Sequence, residues 1–217
     1  MKFRFGLMLL AAMLLQAPLH AAEPAFKEGL QYTLISPQPP VREGQDVEVI
    51  EFFWYGCPHC ASLEPHIKSW LARKPDTVHF ERIPAPFRGK AELHAKTFYA
   101  LQAMGELDRL HDTMFEALAH RKLKLETEPE MEAFLAQHGV DVEKFAATLK
   151  SFAVDSQMKR ARVLAERYGL HGVPSLIVDG RYKSGKGFTS YAEFTELVDY
   201  LAAKVVEERQ GAAAAAN

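Results

Sequence analysis

Residues 47–60 read VEVIEFFWYGCPHC. The first nine are nearly all β-branched or aromatic, the composition of a strand buried on both faces of a sheet. Pro58 then sits where a helix begins, the one helical position at which a missing N–H costs little. Cys60, Leu63, Ile67, Trp70 and Leu71 follow at spacings of three and four, the apolar stripe of a helix. A strand therefore runs into a helix, and the only two cysteines of the chain mark the junction. After a break at Lys74, Pro75 and Asp76, TVHFERIP (77–84) reads as a second strand, so residues 47–84 form a β-α-β unit.

The flanks complete an α/β pattern. Upstream, GLQYTLIS (29–36) alternates as a short strand and SPQPPVREGQ (36–45) is a proline-rich loop. From Gly89 to Gly169 the period becomes helical in five segments with no strand between them, punctuated by Gly105, Gly139 and Gly169. VPSLIVDGRYKSGKG (173–187) then holds two strand-like runs around an Asp-Gly turn, the signal of a hairpin. SYAEFTELVDYLAAKVVEE (190–208) closes the chain as an amphipathic helix, and GAAAAAN (211–217) is low complexity and reads as a frayed, flexible end. No internal repeat is present.

The chain opens with Lys2 and Arg4, an apolar run from Phe5 to Leu15, Pro18 and small residues at Ala21 and Ala22. That order is a secretory signal peptide, cleaved after Ala21 or Ala22, and its apolar run falls short of the ~20 residues of a spanning helix. Its removal takes two cations and no acid, so the formal net charge of -2 becomes -4. An acidic balance, with no basic run longer than RKLK (121–124), excludes nucleic acid as a partner. Export places the two cysteines in an oxidising compartment, where disulfides persist. One bridge closing so short a loop hardly constrains an unfolded chain, so the pair is there for chemistry.

Cys57 falls at the helix cap, where free backbone N–H groups and the positive end of the helix stabilise a thiolate. Cys60, one turn on, lies on the same side and is the more shielded sulfur. In the oxidised pair a client thiolate attacks Cys57 and releases Cys60; a second client thiol then displaces Cys57. His59 assists if it is charged or hydrogen bonds to the Cys57 sulfur; otherwise it is an exposed loop histidine. A structural metal wants about four ligands, and no second cysteine pair exists, so no metal is expected. The histidines of the helical block, His94, His111, His120 and His138, read as surface or satisfied groups, and Met104 and Met114 as packing.

EFFWYGCPHC, the helical block after the second strand, and GVP ahead of the Asp-Gly hairpin together resemble the DsbA family of periplasmic thiol:disulfide interchange proteins of Gram-negative bacteria. The resemblance spans about Ala22 to Glu208. It implies a thioredoxin fold with an inserted all-helical subdomain: signal peptide 1–22, thioredoxin part 23–88 with the active site, helical insertion 89–169, thioredoxin part 170–209 and a flexible tail 210–217. It implies a monomeric oxidant, without cofactor, that donates disulfides to reduced or unfolded exported proteins and is reoxidised by a DsbB-like, quinone-linked membrane oxidase. A depressed thiol pKa and an oxidising potential are known properties of that family, so here they are implied, not deduced. Val173–Pro174 is trans by base rate; the resemblance implies a cis bond facing Cys57 and Cys60, with the Val173 backbone offered to an extended client segment. The resemblance also makes Glu51, which interrupts VIEFFWY, a buried acid able to relay a proton to Cys60. The alternatives are an edge-strand glutamate or an ion pair, and Arg82 on the next strand would hold Glu51 ionised. Tyr55 and Gly56 are core by default or part of an exposed apolar rim for unfolded chains. Two further functions stay open: a thioredoxin-like reductase or isomerase, and a chaperone-like binder of unfolded exported proteins with incidental cysteines.

Overall fold

The computed structural model describes residues 25–39, 44 and 46–215. The expected signal peptide and part of the proline-rich loop lie outside the described residues. In chain order the elements are β1 (Tyr32–Leu34), β2 (Val47–Phe53), α1 (Pro58–Leu71), β3 (Val78–Pro84), α2 (Lys90–Met104), α3 (Leu107–Phe115) with a π-helical continuation (Glu116–His120), α4 (Glu128–Gln137), α5 (Val142–Leu149), α6 (Phe152–Arg167), β4 (Ser175–Val178), β5 (Tyr182–Ser184) and α7 (Tyr191–Ala215). The strands form one sheet in the order β1-β5-β4-β2-β3. β2 and β3 run parallel, as their connection through α1 requires, and the other pairs are antiparallel.

β2 carries the fold because both its faces are covered. Val47 and Val49 join Leu63, Ile67 and Trp70 of α1 and Leu197, Leu201 and Val205 of α7 in one core. Ile50, Phe52 and Phe53 join the inserted helices α2 to α6 in another. Phe52 and Phe53 are fully buried, and burial of such side chains contributes about 1.5–3 kcal/mol each. The near-continuous apolar run of the strand follows from this two-sided cover.

The ends of the elements match their local chemistry. Thr127 and Glu130 form a reciprocal capping box on α4, while Asp141 and Ser151 cap α5 and α6. The β4–β5 turn places Asp179 and Gly180 both at positive φ, 54° and 65°, the twist that a tight hairpin demands. At the other end of the chain one expectation fails. α7 does not stop before a flexible tail but runs to Ala215. The run of alanines has the best helix propensity of any residue, and it simply extends a helix already nucleated by packing. No helix among the described residues is long and apolar enough to cross a membrane.

Candidate active site

Cys57 is the N-cap of α1, with extended backbone (φ -91°, ψ 115°), and Pro58 follows in the first turn. Its N–H donates to Trp54 O at 2.9 Å and its carbonyl accepts from Ala61 N at 3.1 Å, so both sides of the residue are fixed. Cys57 is 8% exposed and Cys60 is fully buried. Both are free thiols. The Cys57 thiol is lowered to about 6 because the Cys60 thiol donates to its sulfur. Burial opposes that shift; the backbone N–H groups of Cys60 and His59 and the charge of His59 add to it. Cys60 is pushed strongly upward, first by burial and then by its hydrogen bond to Cys57 and the charge there. The dithiol thus holds one negative charge at neutral pH, on the outer sulfur.

The Val173–Pro174 bond is cis, and Val173 O lies 3.6 Å from the Cys57 sulfur. Ser175, where β4 starts, pins this loop by donating from its hydroxyl to Gly172 O at 2.8 Å. The His59 imidazole is held elsewhere: Nδ1 hydrogen bonds with the Tyr191 hydroxyl at 2.9 Å, at the start of α7. His59 thus acts on Cys57 through its charge and backbone N–H, and the side-chain hydrogen bond to sulfur is replaced by one to Tyr191.

Glu51 is buried, 1% exposed, in register between Arg82 of β3 and Leu176 of β4. Arg82 does not commit to it. Its Nη2 donates to both oxygens of Glu64, at 2.8 and 2.9 Å. Its Nε approaches Glu51 Oε2 at 3.3 Å but out of line, so both atoms lack a hydrogen bond. Burial raises the Glu51 carboxyl to about 7; the Arg82 charge opposes this and the Glu64 charge reinforces it. The ion pair of Arg82 with Glu51 is thus present, but the hydrogen bonds of the guanidinium go to Glu64 and burial outweighs the Arg82 charge at Glu51.

Sequence reading missed Glu64, His111 and Tyr191. His111 Nδ1 hydrogen bonds with the Tyr55 hydroxyl at 2.8 Å, and its Nε2 stands 3.6 Å from Glu64. Tyr55, 1% exposed, is core and contributes no apolar rim. Glu64 stands four residues after Cys60 and three before Ile67, on the stripe that the helix buries; that spacing was the available signal. Tyr191 carried none.

Residues 48–199 match the family model described as DSBA-like thioredoxin domain. The chain belongs to the DsbA family. Among its relatives, the thiol:disulfide interchange protein DsbA of Pseudomonas aeruginosa is 41% identical over 201 residues, covering 91% of this chain and 95% of that protein. The protein of the same name from Azotobacter vinelandii is 41% identical over 176 residues, covering 81% and 82%. In solved structures, Pseudomonas aeruginosa DsbA superposes with a TM-score of 0.75 at 40% identity, covering 86% of this chain and 96% of that one. The oxidoreductase NmDsbA1 from Neisseria meningitidis gives 0.73 at 28% identity, covering 85% and 96%. The DsbA-family fold here is a thioredoxin fold with a helical insertion, and thiol:disulfide interchange is its activity.

Proposed function

We propose that this protein is a dithiol oxidase of the periplasm, donating a Cys57–Cys60 disulfide to reduced exported proteins. The opposite shifts of the two thiols support the direction most strongly. A stabilised Cys57 thiolate favours the reduced form of the pair, which makes its disulfide the stronger oxidant. A client thiolate attacks the Cys57 sulfur, the Cys57–Cys60 bond breaks, and Cys60 departs with the electron pair. Its high proton affinity draws a proton at once, and Glu51 near neutrality supplies it. A second client thiolate then attacks the client sulfur of the mixed disulfide. Cys57 leaves as a thiolate, and the client carries away the new disulfide.

Around these two residues, Pro58 starts the helix that polarises Cys57, His59 adds charge, and Val173 and Pro174 present backbone to the client strand. The segment 1–22 directs export and is removed. Residues 23–88 and 170–209 form the thioredoxin part and 89–169 its helical insertion. The protein works as a monomer and is reoxidised by a DsbB-like quinone-linked membrane oxidase, the two electrons of the dithiol passing to that partner. Equilibration of the purified protein with graded glutathione buffers tests the direction. The pair is expected to stay reduced until the buffer is strongly oxidising; a disulfide that persists in reducing buffer would mean a reductase. Cys57→Ser is expected to abolish oxidation of a reduced client, and full activity in that variant would sink the proposal.

A further inference from the structure

Two cavities are lined by residues next to Cys57, in sequence or in space, and both are basic although the chain as a whole is acidic. The first, about 230 Å³, is lined by Gly56 and Pro58, the residues on either side of Cys57, and by Trp54, Lys90, Lys122 and Lys124. Its indole wall is fixed, because Trp54 Nε1 donates to His94 at 3.0 Å and stacks on that ring. Glu126, the one carboxylate among its described lining residues, is bound to Lys90 at 2.9 Å. Lys122 and Lys124 therefore set the sign of this cavity. Lys122 is held at positive φ (53°), two residues after the end of the π-helical segment.

The second cavity, about 710 Å³, is lined by Val173 and Pro174, and Val173 O lies 3.6 Å from the Cys57 sulfur. His171, Lys183 and Lys186 line it, with no carboxylate among the described lining residues. Lys183 is anchored by donating to Tyr168 O and Gly169 O, at 3.0 and 2.8 Å, so its charge is fixed in the floor. Leu30, 48% exposed, gives this cavity an apolar rim.

We infer that the two cavities select client segments in which the reacting cysteine is flanked by acidic side chains. The inference rests on the dithiol oxidase reading above. A client lying in extended form across Val173 with its cysteine at the Cys57 sulfur brings the residues that flank that cysteine toward the two cavities that the lysines line. Like-signed fields in both cavities steer anionic segments and disfavour cationic ones. The same fields attract the client thiolate, itself an anion.

The test compares two reduced peptides of equal length, one with aspartates and one with lysines on both sides of its cysteine. The rate read is attack on the oxidised protein. Each is divided by that peptide's own rate with a small neutral disulfide, which removes the effect of flanking charge on the thiol. At low ionic strength, on the order of 0.01 M, where fields reach about 30 Å, the aspartate peptide is expected to react roughly tenfold faster; near 1 M the ratio falls toward one. In the double variant K122E/K186E, each rate divided by the variant's own rate with dithiothreitol, the preference is expected to vanish or reverse. Equal rates, a ratio insensitive to salt, or a faster lysine peptide overturns the inference while the oxidase activity stands. Failure to oxidise even dithiothreitol, a neutral dithiol, overturns the oxidase reading and this inference with it.

Discussion

Among the described residues, Arg209 and the partly buried Arg82 each pair with buried acids, and their settings differ in stoichiometry. Arg209 of α7 meets one carboxylate: Nη2 donates to Asp179 at 2.6 Å, and Nη1 donates to the carbonyls of Gly44 and Asp46 at 3.0 and 2.9 Å. Arg82 of β3 meets two, Glu64 in a fork and Glu51 at the out-of-line 3.3 Å. The first cluster is neutral as a unit and clamps the β4–β5 turn to the last helix. In the second, burial of Glu51, the acid with the poorer contact, raises its carboxyl to about 7, with the Glu64 charge adding to the shift and the Arg82 charge opposing it. A buried acid with an arginine of its own fixes structure; a buried acid that shares its arginine is open to protonation.

The largest effect expected from that contrast is on the balanced pair. Asp179→Ala leaves the Arg209 charge buried without its anion and should cost about 3–5 kcal/mol. Urea unfolding should show a lower midpoint with little change of slope, while dithiothreitol oxidation by the folded fraction is unchanged. A loss below about 1 kcal/mol would place this pair with ordinary surface ion pairs and remove the contrast.

The unbalanced cluster predicts a pH dependence. Glu51 has a folded pKa of about 7 against an ordinary value of 4.5. At Glu51 the folded state holds more protons than the unfolded one between those values, so the contribution of this group to stability falls as pH rises from 4.5 through 7 and does not change further above. The linkage amounts to roughly 3 kcal/mol. Glu51→Gln should remove that slope, and with it an inflection near pH 7 in the rate at which Cys60 is released. If the wild-type and Glu51→Gln profiles run parallel across this window, Glu51 stores no proton and the relay fails.

That difference marks the limit of what the sequence discloses. The strand, the helix start at Pro58 and the pair Cys57 and Cys60 are legible because they are local: pattern, cap and spacing sit within fourteen residues. The cis bond at Pro174 is not legible from the residues themselves, since an X-Pro dipeptide is cis only ~5–6% of the time in folded proteins; the resemblance supplied it. Glu51 and Arg82 were placed as neighbours by reading adjacent strands. Which acid takes the guanidinium depends on how α1 crosses β3, and no local pattern carries that. The tail was misread because composition suggests fraying, while helix propensity and a packed preceding turn decide the outcome.

A smaller effect is expected at the apolar wall beside Cys57. A Cβ at Gly56 would fall 2.4 Å from the Trp54 ring, far inside contact distance. Gly56→Ala must therefore push the indole off His94, at about 1–3 kcal/mol. Changed tryptophan fluorescence together with lower stability checks this. An unchanged spectrum would mean that the indole is not held against Gly56.

The smallest effect is the one that separates proton storage from proton exclusion. His94, 2% exposed, accepts from Trp54 at Nδ1 and so donates through Nε2 to Leu125 O at 2.9 Å, a pattern only the neutral ring can make. Burial lowers its pKa below the ordinary 6.5. As pH falls through 6.5 the unfolded chain takes the proton first, so stability is lost toward acid and is independent of this group above that value. The sign is opposite to that of Glu51, and the two windows overlap, so the wild-type profile is a partial cancellation. Glutamine at position 94 can accept from the indole and donate to the carbonyl without titrating. In a Glu51→Gln background, His94→Gln should flatten the remaining acid-side slope at a static cost of about 1 kcal/mol. A slope that survives the double replacement would assign it to other groups and leave His94 as packing alone.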